Sequence, residues 1–291
     1  MGKTIITMAS WEDRFLLGYD RDLGHGEVEK ILMFWSAEHD GWTSNIREEA
    51  NKRHKCVDVE LRLDDPKQSW HAICGALQKI KSDDVLLNIS TMPREVIWII
   101  LWVLESRSLA ISCVYYPPRK YGDWLTKDHG EARIVYKLGG ELSLGVPTKL
   151  FVVSGYEEQR VRQLIQVYEP TQVVLGYHSG STTNDPRKQP IKRSDFPDAE
   201  ILNLSDFAFD ACALDLGLVE LQSKTQGLFD DSNVLMASLG PKTTAIPLFQ
   251  LHRQHPNSSL VYIPSKTYNK DYSIGIGKAT YTHVVDLSLH S

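Results

Sequence analysis

The sequence predicts an α/β protein made of two tandem Rossmann-like domains, each a doubly wound parallel sheet, that are related by internal duplication. Two observations lead to this prediction. First, apolar strand-like runs alternate with amphipathic helical stripes in both halves, and parallel neighbouring strands need such crossover helices. Second, residues 85–94 match residues 233–242: each has an apolar run, a serine-containing turn, and a proline followed by a cation. The two segments lie 148 residues apart. Solenoid units recur about every 20–50 residues, so a repeat at this distance indicates a duplicated domain.

The match extends in both directions along the chain. Downstream, residues 114–121 match residues 261–268 through a Val-Tyr pair, a proline, a basic residue and a tyrosine. Upstream, residues 4–14 match residues 148–160 through an apolar strand, a serine, an aromatic residue, a glutamate and an arginine. We therefore predict a pseudo-dimer with a composite ligand site between its halves. The predicted domains are residues 1–145 and residues 146–291.

Strands of the first half are predicted from apolar runs rich in β-branched residues. They lie at residues 4–9, 31–35, 57–63, 85–89 and 110–115. The first helix follows from apolar residues at helical spacing between positions 15 and 23. The later helices are predicted to begin near Ser44, near Asp64 or Asp65, and at Pro93. Serine and aspartate cap helix N-termini, and proline fits the first helical turn.

The second half repeats this order. Its predicted strands lie at residues 149–154, 172–176, 201–204, 233–237 and 259–263. Helices are predicted at residues 161–168, at residues 206–221 and after Pro241. Residues 178–196 are polar and contain two prolines, which predicts a loop or short helix in place of the first half's helix at 44–54. The two halves end in β-rich tails at residues 133–138 and 282–287.

The composition is that of a soluble globular protein, with 42% hydrophobic and 24% charged residues. A net charge of −5 excludes broad, nonspecific nucleic-acid binding, which needs a large positive field. It permits a small anionic nucleotide ligand held by local cations. The most apolar stretch, residues 96–104, is far shorter than the ~20 residues that span a bilayer, and no signal peptide is recognised. We expect a cytoplasmic protein with no membrane partner.

No cofactor or metal is expected from the motifs. The four cysteines form no CxxC pair and lack zinc-site spacing with histidines, which predicts buried thiols in a reducing compartment. Neither a GxGxxG nor a Walker A pattern is present, which argues against ordinary dinucleotide or P-loop binding. His39 and His178 follow the second strands of the two halves without spaced metal partners, and we interpret them as surface loop residues. No Ser-His-Asp triad can be assigned from sequence order.

The loops after the fourth strands form the first candidate ligand site. They contain Ser90, Thr91 and Arg94 in one half, and Ser238, Gly240 and Lys242 in the other. In an open parallel sheet, ligands bind beyond the carboxyl ends of the strands, and helix N-termini offer backbone N–H groups to phosphate. The alternative is that the serine, threonine and proline residues only cap the following helix.

The loops after the first strands form the second candidate site. They contain Ser10, Trp11, Glu12 and Arg14 in one half, and Ser154, Tyr156, Glu157 and Arg160 in the other. An aromatic residue there is suited to stacking on a base, and a glutamate to accepting from a sugar hydroxyl or an exocyclic amine. Glu12 and Glu157 are also the candidate catalytic residues. The alternative is a helix N-cap with acids in the first turn, which the helix dipole favours.

Tyrosines after the fifth strands are the third repeated feature. Tyr121 and Tyr268 follow the basic residues Arg119 and Lys266. This arrangement suits a lid over the ligand. The alternative is that each tyrosine packs against the edge of its sheet.

Residues 88–94 (Asn-Ile-Ser-Thr-Met-Pro-Arg), at the end of the fourth strand, resemble the CRISPR-associated Rossmann fold (CARF) family. Two such units in one chain are similar to the SAVED domain of bacterial antiphage systems. The resemblance implies binding of a cyclic oligonucleotide, with contacts from Ser90, Thr91, Arg94, Ser238, Gly240 and Lys242. Most members of the family carry an additional effector domain; in this chain we expect the output to come from the sheet pair itself or from a separate effector protein as partner. A homodimer, in which the halves pair with those of a second chain, is a further arrangement compatible with the sequence. The glycine pair of the family is replaced by Thr91-Met92 in the first half.

These observations favour a sensor that binds a nucleotide second messenger in a prokaryotic antiviral defence or stress pathway. Two alternatives remain open. The first is a nucleotide-processing enzyme, either a ring nuclease that cleaves a cyclic oligoadenylate or a hydrolase that breaks a glycosidic bond with Glu12 or Glu157 as acid or nucleophile. The second is an adaptor subunit of a defence complex, in which the ligand sites have decayed.

Overall fold

The structure, a computed structural model, describes residues 2–107, 111–155, 157–178, 193–204, 214–277 and 281–285. The chain divides into two compact units. The first comprises residues 1–128 and 265–291, and the second comprises residues 129–264. The predicted domains and these units differ in the assignment of residues 129–145 and 265–291.

The first unit is built on a sheet of five parallel strands and one antiparallel edge strand. The strands are β1 (Lys3–Met8), β2 (Val28–Ser36), β3 (Val57–Leu61), β4 (Val85–Asn88), β5 (Ile111–Tyr115) and β16 (Tyr281–Val285). Their order is β16-β5-β4-β1-β2-β3, so β1 lies between β2 and β4. Every residue of β1 and β4 is buried, as expected for central parallel strands covered on both faces. The predicted α/β class with a parallel sheet is confirmed.

The described residues of the first unit form the helices α1 (Asp13–Leu23), α2 (Asp40–Arg53), α3 (Pro66–Leu77) and α4 (Arg94–Glu105). Helix α3 begins as predicted, because Asp65 Oδ1 accepts a 3.0 Å hydrogen bond from the Gln68 N–H and Pro66 occupies the first position. Helix α4 begins directly after Pro93, and its apolar residues 96–101 are all buried. Within the described ranges, no helix is long and apolar enough to cross a membrane.

Helix α2 begins at Asp40, and the prediction of a start near Ser44 is wrong. The chain leaves β2 through a 3-10 turn, Ala37–His39, that continues directly into the helix. Thr43 Oγ1 donates a 3.1 Å hydrogen bond to the His39 carbonyl oxygen, so the predicted cap already lies inside the helix. The earlier start keeps His39 and Trp42 close to the carboxyl end of β2.

Four short strands form two additional two-stranded sheets. They are β6 (Pro118–Tyr121), β7 (Thr126–His129), β14 (Ser265–Tyr268) and β15 (Ser273–Ile276). Strand β15 pairs antiparallel with β6, and β14 pairs with β7. The segment after residue 264 therefore joins the first unit, and it brings Tyr268 and Ser273 into that unit.

The second unit has the same strand order as the first. Its elements are β8 (Arg133–Ile134), β9 (Thr148–Val153), β10 (Gln172–His178), β11 (Glu200–Leu204), β12 (Asn233–Ser238), β13 (Ser258–Tyr262), α5 (Glu158–Tyr168), α6 (Leu214–Lys224) and α7 (Ala245–Gln254). The order β11-β10-β9-β12-β13-β8 places β8 antiparallel beside β13, as β16 lies beside β5 in the first unit. In each unit the sixth strand thus comes from the β-rich tail that ends the other half of the sequence. The internal duplication itself stays a prediction.

Several predicted segments differ in extent from the structure. The tail predicted at 133–138 is a strand only at Arg133–Ile134, and the strand predicted at 57–63 ends at Leu61. Some predicted segments lie partly outside the described residues: 206–213 of the helix at 206–221, 179–192 of the polar loop, and 286–287 of the second tail.

The described cysteines are free thiols. Cys113 is buried, and burial raises the pKa of its thiol to about 12, so it behaves as an inert core residue. Cys56 and Cys74 are only partly buried, and Cys212 lies outside the described residues. Among the residues described, no group of three histidine, cysteine, aspartate or glutamate side chains is placed to hold a metal ion.

Candidate ligand site at the carboxyl ends of the parallel strands

The loops after the first and fourth strands lie side by side in both units, as predicted. The cause is the sheet order, since β1 pairs with β4 and β9 pairs with β12. In the first unit, Thr91 Oγ1 donates a 2.6 Å hydrogen bond to the Met8 carbonyl oxygen at the end of β1. In the second unit, the N–H groups of Leu239 and Gly240 both donate to the Val153 carbonyl oxygen, at 2.8 and 2.9 Å. Each unit therefore gathers the two predicted site loops at one edge.

Ser90 fastens the loop after β4 instead of facing a ligand. Its side chain is 1% exposed, and its hydroxyl oxygen accepts a 2.8 Å hydrogen bond from the Tyr116 N–H. Thr91 and Arg94 are partly exposed, and Arg94 is the first residue of α4. Of the three predicted residues in this loop, Thr91 and Arg94 are thus accessible for recognition of a ligand.

A buried polar network supports this loop, and it consists of Asp22, Asn88, Ser90 and Tyr116. Asn88 Nδ2 and the Tyr116 hydroxyl each donate a 2.6 Å hydrogen bond to Asp22, while the Ser90 N–H donates to Asn88 Oδ1 at 3.0 Å. With the bond from the Tyr116 N–H to Ser90, these contacts close a ring. Asp22 is fully buried, and this burial raises the pKa of its carboxyl to about 6 despite the donors that stabilise its charge.

The predicted Glu-Arg pair of the loop after β1 is an internal ion pair. Arg14 is 2% exposed, and its Nε and Nη2 atoms donate to the two Glu12 carboxylate oxygens at 2.8 and 3.2 Å. Glu12 also accepts from the Ser10 hydroxyl, at 3.4 Å, and from the Ser273 hydroxyl on β15. Burial alone lowers the pKa of Arg14, but the Glu12 charge and hydrogen bonds outweigh it and keep the guanidinium charged. Each side chain is therefore the buried ionic partner of the other.

The second unit repeats this pair. Arg160 is buried, and its Nη1 lies 3.1 Å from Glu157 Oε2 while its Nε donates to His129 Nδ1 at 3.1 Å. Glu12 and Glu157 occupy the N-cap positions of α1 and α5, but neither side chain caps its helix. The alternative of an N-cap followed by acids in the first turn therefore differs from the structure, in which each glutamate stands at the N-cap position and pairs with an arginine of its own helix.

Trp11 belongs to an aromatic cluster that consists of Trp11, His39, Trp42 and Tyr268. The Trp11 ring centroid lies 5.0 Å from that of His39, 4.9 Å from Trp42 and 5.5 Å from Tyr268, and all four side chains are partly exposed. The Trp11 indole N–H donates to the Asn269 carbonyl oxygen at 3.1 Å. Lys270 Nζ lies 5.3 Å from the Trp42 ring centroid. The cluster combines partly exposed aromatic rings with a nearby cation.

His39 and Trp42 were missed as site residues by the sequence reasoning. His39 lies partly exposed in the turn after β2, as interpreted from the sequence, and its ring centroid is within 5.8 Å of those of Trp11, Trp42 and Tyr268. The available signal was positional. Both residues directly follow the second strand, and its carboxyl end meets the same sheet edge as the end of β1.

The two repeated tyrosines occupy different surroundings. Tyr268 joins the aromatic cluster, whereas Tyr121 contacts Tyr272 edge-on at 6.4 Å between ring centroids. Burial raises the pKa of Tyr121 well above its usual value, which is the behaviour of a packed side chain. Arg119 and Lys266 are exposed on β6 and β14. A lid role for Tyr121 and Tyr268 stays a prediction.

The site loops of the second unit are held by contacts within and between the two loops. Ser238 Oγ lies 2.6 Å from Thr244 Oγ1, and Lys242 opens a 3-10 turn, Lys242–Thr244, ahead of α7. A Cβ atom on Gly155 would lie 2.4 Å from the Leu239 carbonyl oxygen, so only glycine permits the contact between these two loops. Ser154 donates its hydroxyl to the Gly176 carbonyl oxygen at 3.0 Å. Tyr156 and the side chain of His178 lie outside the described residues.

No family model and no curated protein matches this chain. Among solved structures, it is similar to the cytoplasmic domain of a prokaryotic cation chloride cotransporter, at 9% identity and a TM-score of 0.28, covering 91% of this chain and 96% of that one. It is also similar to UDP-N-acetylglucosamine 2-epimerase, at 12% identity and a TM-score of 0.29, covering 87% of each chain. Scores this low carry no argument about function.

Proposed function

We propose that this protein is a sensor that binds a nucleotide at the carboxyl ends of strands β1, β2 and β4 of the first unit. The observation that carries the proposal is the partly exposed aromatic cluster beyond β1 and β2. Ligands of open parallel sheets bind at this edge. Aromatic side chains stack on nucleobases, and each stacked base contributes about 1–3 kcal/mol.

The start of α4 supplies the matching site for phosphate. The α4 N-terminus carries a partial positive charge and directs backbone N–H groups outward, and Arg94 adds a guanidinium suited to bidentate phosphate binding. The hydrogen bond from Thr91 to Met8 fastens this turn to the end of β1, from which Trp11 also projects. Because the net charge of the chain is −5, an anionic ligand is attracted by these local positive groups and not by the overall charge.

A binding role is favoured over glycosidic-bond cleavage by the state of Glu12. A glycosidase acid or nucleophile must reach the scissile bond, whereas Glu12 is 7% exposed and already accepts from Arg14 and Ser273. The resemblance of residues 88–94 to the CARF family supports a cyclic oligonucleotide as the physiological ligand. On this proposal the bound ligand signals to a separate effector protein.

Thermal unfolding of the purified chain with AMP, cyclic di-AMP and cyclic tri- and tetra-adenylate tests the proposal, followed by mass spectrometry of each mixture. A ligand at 100 times its Kd adds about 2.7 kcal/mol of stability, so we expect a saturable rise in Tm with the nucleotide recovered intact. Arg94→Ala and Trp42→Leu should each weaken binding. Matched controls are Lys81→Ala, an exposed cation ahead of β4, and Trp124→Leu, a partly exposed ring outside the aromatic cluster.

Each other result contradicts part of the proposal. A consumed nucleotide would make the protein an enzyme. Binding that is unchanged in both Arg94→Ala and Trp42→Leu would place the ligand elsewhere. No shift with any of the four nucleotides would overturn nucleotide binding and leave the adaptor hypothesis.

A further inference from the structure

A chain of side-chain hydrogen bonds ends on the imidazole of His39. Ser36, the last residue of β2, is 2% exposed. Its hydroxyl oxygen lies 2.5 Å from Glu38 Oε2 and 3.0 Å from His39 Nδ1. The other carboxylate oxygen of Glu38 accepts the Asp64 N–H at 3.1 Å. The 3-10 turn after β2 therefore holds all three side chains in one arrangement.

This arrangement fixes which nitrogen of His39 carries the proton. An ionised carboxylate only accepts hydrogen bonds, and a hydroxyl has a single proton to donate. Ser36 therefore donates to Glu38, and its oxygen accepts from the His39 Nδ1–H. The neutral ring then has its lone pair on Nε2.

The surroundings favour these protonation states. Partial burial alone raises the pKa of Glu38, but hydrogen bonds from Ser36 and from backbone N–H groups outweigh it and lower that pKa. Burial lowers the pKa of His39, although the nearby charge of Glu38 opposes the effect. At neutral pH, Glu38 is therefore a carboxylate and His39 a neutral imidazole.

The imidazole of His39 lies among the rings of the aromatic cluster. The ring centroid of His39 is 5.8 Å from Trp42 and 5.1 Å from Tyr268, and the side chain is partly exposed. In the described part of the chain, Nε2 has no hydrogen-bond partner. A hydrogen-bond acceptor with fixed orientation therefore stands within a surface suited to stacking a flat ligand.

We infer that His39 Nε2 selects, among ligands stacked on the aromatic cluster, those that present a hydrogen-bond donor, and that this donor is the exocyclic amine of a nucleobase. The inference rests on the proposed nucleotide site and names the group of the base that the site recognises. A hydrogen bond of ordinary net strength corresponds to about a tenfold difference in affinity.

Three nucleotides of the same charge distinguish the possible donors. AMP carries both the exocyclic amine and the 2′-hydroxyl, purine riboside 5′-monophosphate lacks only the amine, and 2′-deoxyadenosine 5′-monophosphate lacks only the hydroxyl. We expect the wild-type protein to bind AMP and the deoxynucleotide equally, and the purine analogue about tenfold more weakly. His39→Phe retains an aromatic ring without the acceptor, so it should bind all three with the affinity that the wild type has for the analogue.

A measurement without ligand checks the tautomer separately. Carbon-13 NMR of the His39 ring should show the Nδ1–H form at neutral pH, and Ser36→Ala should restore a mixture of tautomers. A pure Nε2–H form in the wild type would overturn the inference, as would equal binding of all three nucleotides. A loss confined to the deoxynucleotide would assign the donor to the sugar hydroxyl and overturn the assignment to the exocyclic amine. If no nucleotide binds at all, the proposed function fails and the inference fails with it.

Discussion

The Tyr116 hydroxyl donates a 2.6 Å hydrogen bond to the carboxylate of Asp22, and this contact closes the buried polar network next to the loop after β4. Both side chains are fully buried. The same tyrosine donates its backbone N–H to Ser90, so one residue holds the network at two points. The position of the candidate phosphate site thus depends on a polar contact inside the first unit.

Removing the Tyr116 hydroxyl should destabilise the first unit. In Tyr116→Phe, Asp22 loses one of its donors while remaining buried, which costs about 1–3 kcal/mol. Urea denaturation followed by fluorescence measures the change. Tyr168→Phe is the matched control, because its half-buried hydroxyl has no hydrogen-bond partner among the described residues, and it should change stability by less than about 0.5 kcal/mol. Equal effects of the two substitutions would show that the network does not contribute.

The raised pKa of Asp22 predicts a specific dependence of stability on pH. The folded protein binds the Asp22 proton up to about pH 6, whereas the unfolded chain releases it near pH 3.8. Stability from this group is therefore fully present below pH 3.8, falls as pH rises through about 6, and is constant above it. The shift corresponds to roughly 3 kcal/mol.

Comparing the wild type with Asp22→Asn isolates this effect. The amide resembles the protonated acid and does not titrate, so the unfolding free energy of the wild type should fall relative to the variant between pH 4 and pH 6.5. Urea denaturation at half-unit pH intervals measures both curves. Parallel curves would mean that Asp22 does not titrate in this interval.

Gly18 should be replaceable by alanine only at a cost, although it lies inside helix α1. A Cβ atom there would lie 2.8 Å from the Tyr116 ring, which is itself held by the network. We expect Gly18→Ala to destabilise by about 1–3 kcal/mol, as overpacking does. Gly75→Ala is the control: a Cβ in α3 meets nothing within 4 Å, so it should stabilise by about 0.5–1 kcal/mol. Stabilisation by both substitutions would show that Tyr116 yields freely.

The fold and the edge that carries the site follow from local sequence features. Alternating strand and helix patterns predict parallel strands, and parallel strands place their carboxyl ends together. Asp65 and Pro66 start a helix because their capping and backbone preferences act within one turn. The strand pattern likewise predicts that Ser90 and Arg94 lie at the carboxyl end of β4, where the structure has them.

Contacts between segments that are distant along the chain cannot be predicted from such local features. The hydroxyl of Ser273 reaches Glu12, and Asn269 accepts from Trp11, across more than 250 residues of chain. Periodicity describes which face of an element is buried and contains no information about which distant strand returns to it. The hydrogen bond from Ser273 to Glu12 is missed for this reason, and with it part of the structural role of a candidate catalytic residue.

The ion pair of Glu12 and Arg14 should contribute strongly to the stability of the first unit. Glu12→Gln leaves the Arg14 guanidinium buried without a counter-charge, which costs about 3–5 kcal/mol when a buried pair loses one partner. The corresponding change Glu157→Gln should cost less, because the Glu157 side chain is 29% exposed, which weakens its ion pair, and Arg160 keeps its hydrogen bond to His129. Combining Glu12→Gln with Arg14→Met removes both charges and should recover part of the loss, since two apolar or neutral groups need no desolvated counter-ion. Unfolding free energies of the wild type, the two single variants and the double variant test this prediction. A double variant less stable than Glu12→Gln alone would show that Arg14 stabilises the loop mainly through other contacts, such as its 3.4 Å hydrogen bond to the Tyr116 carbonyl oxygen.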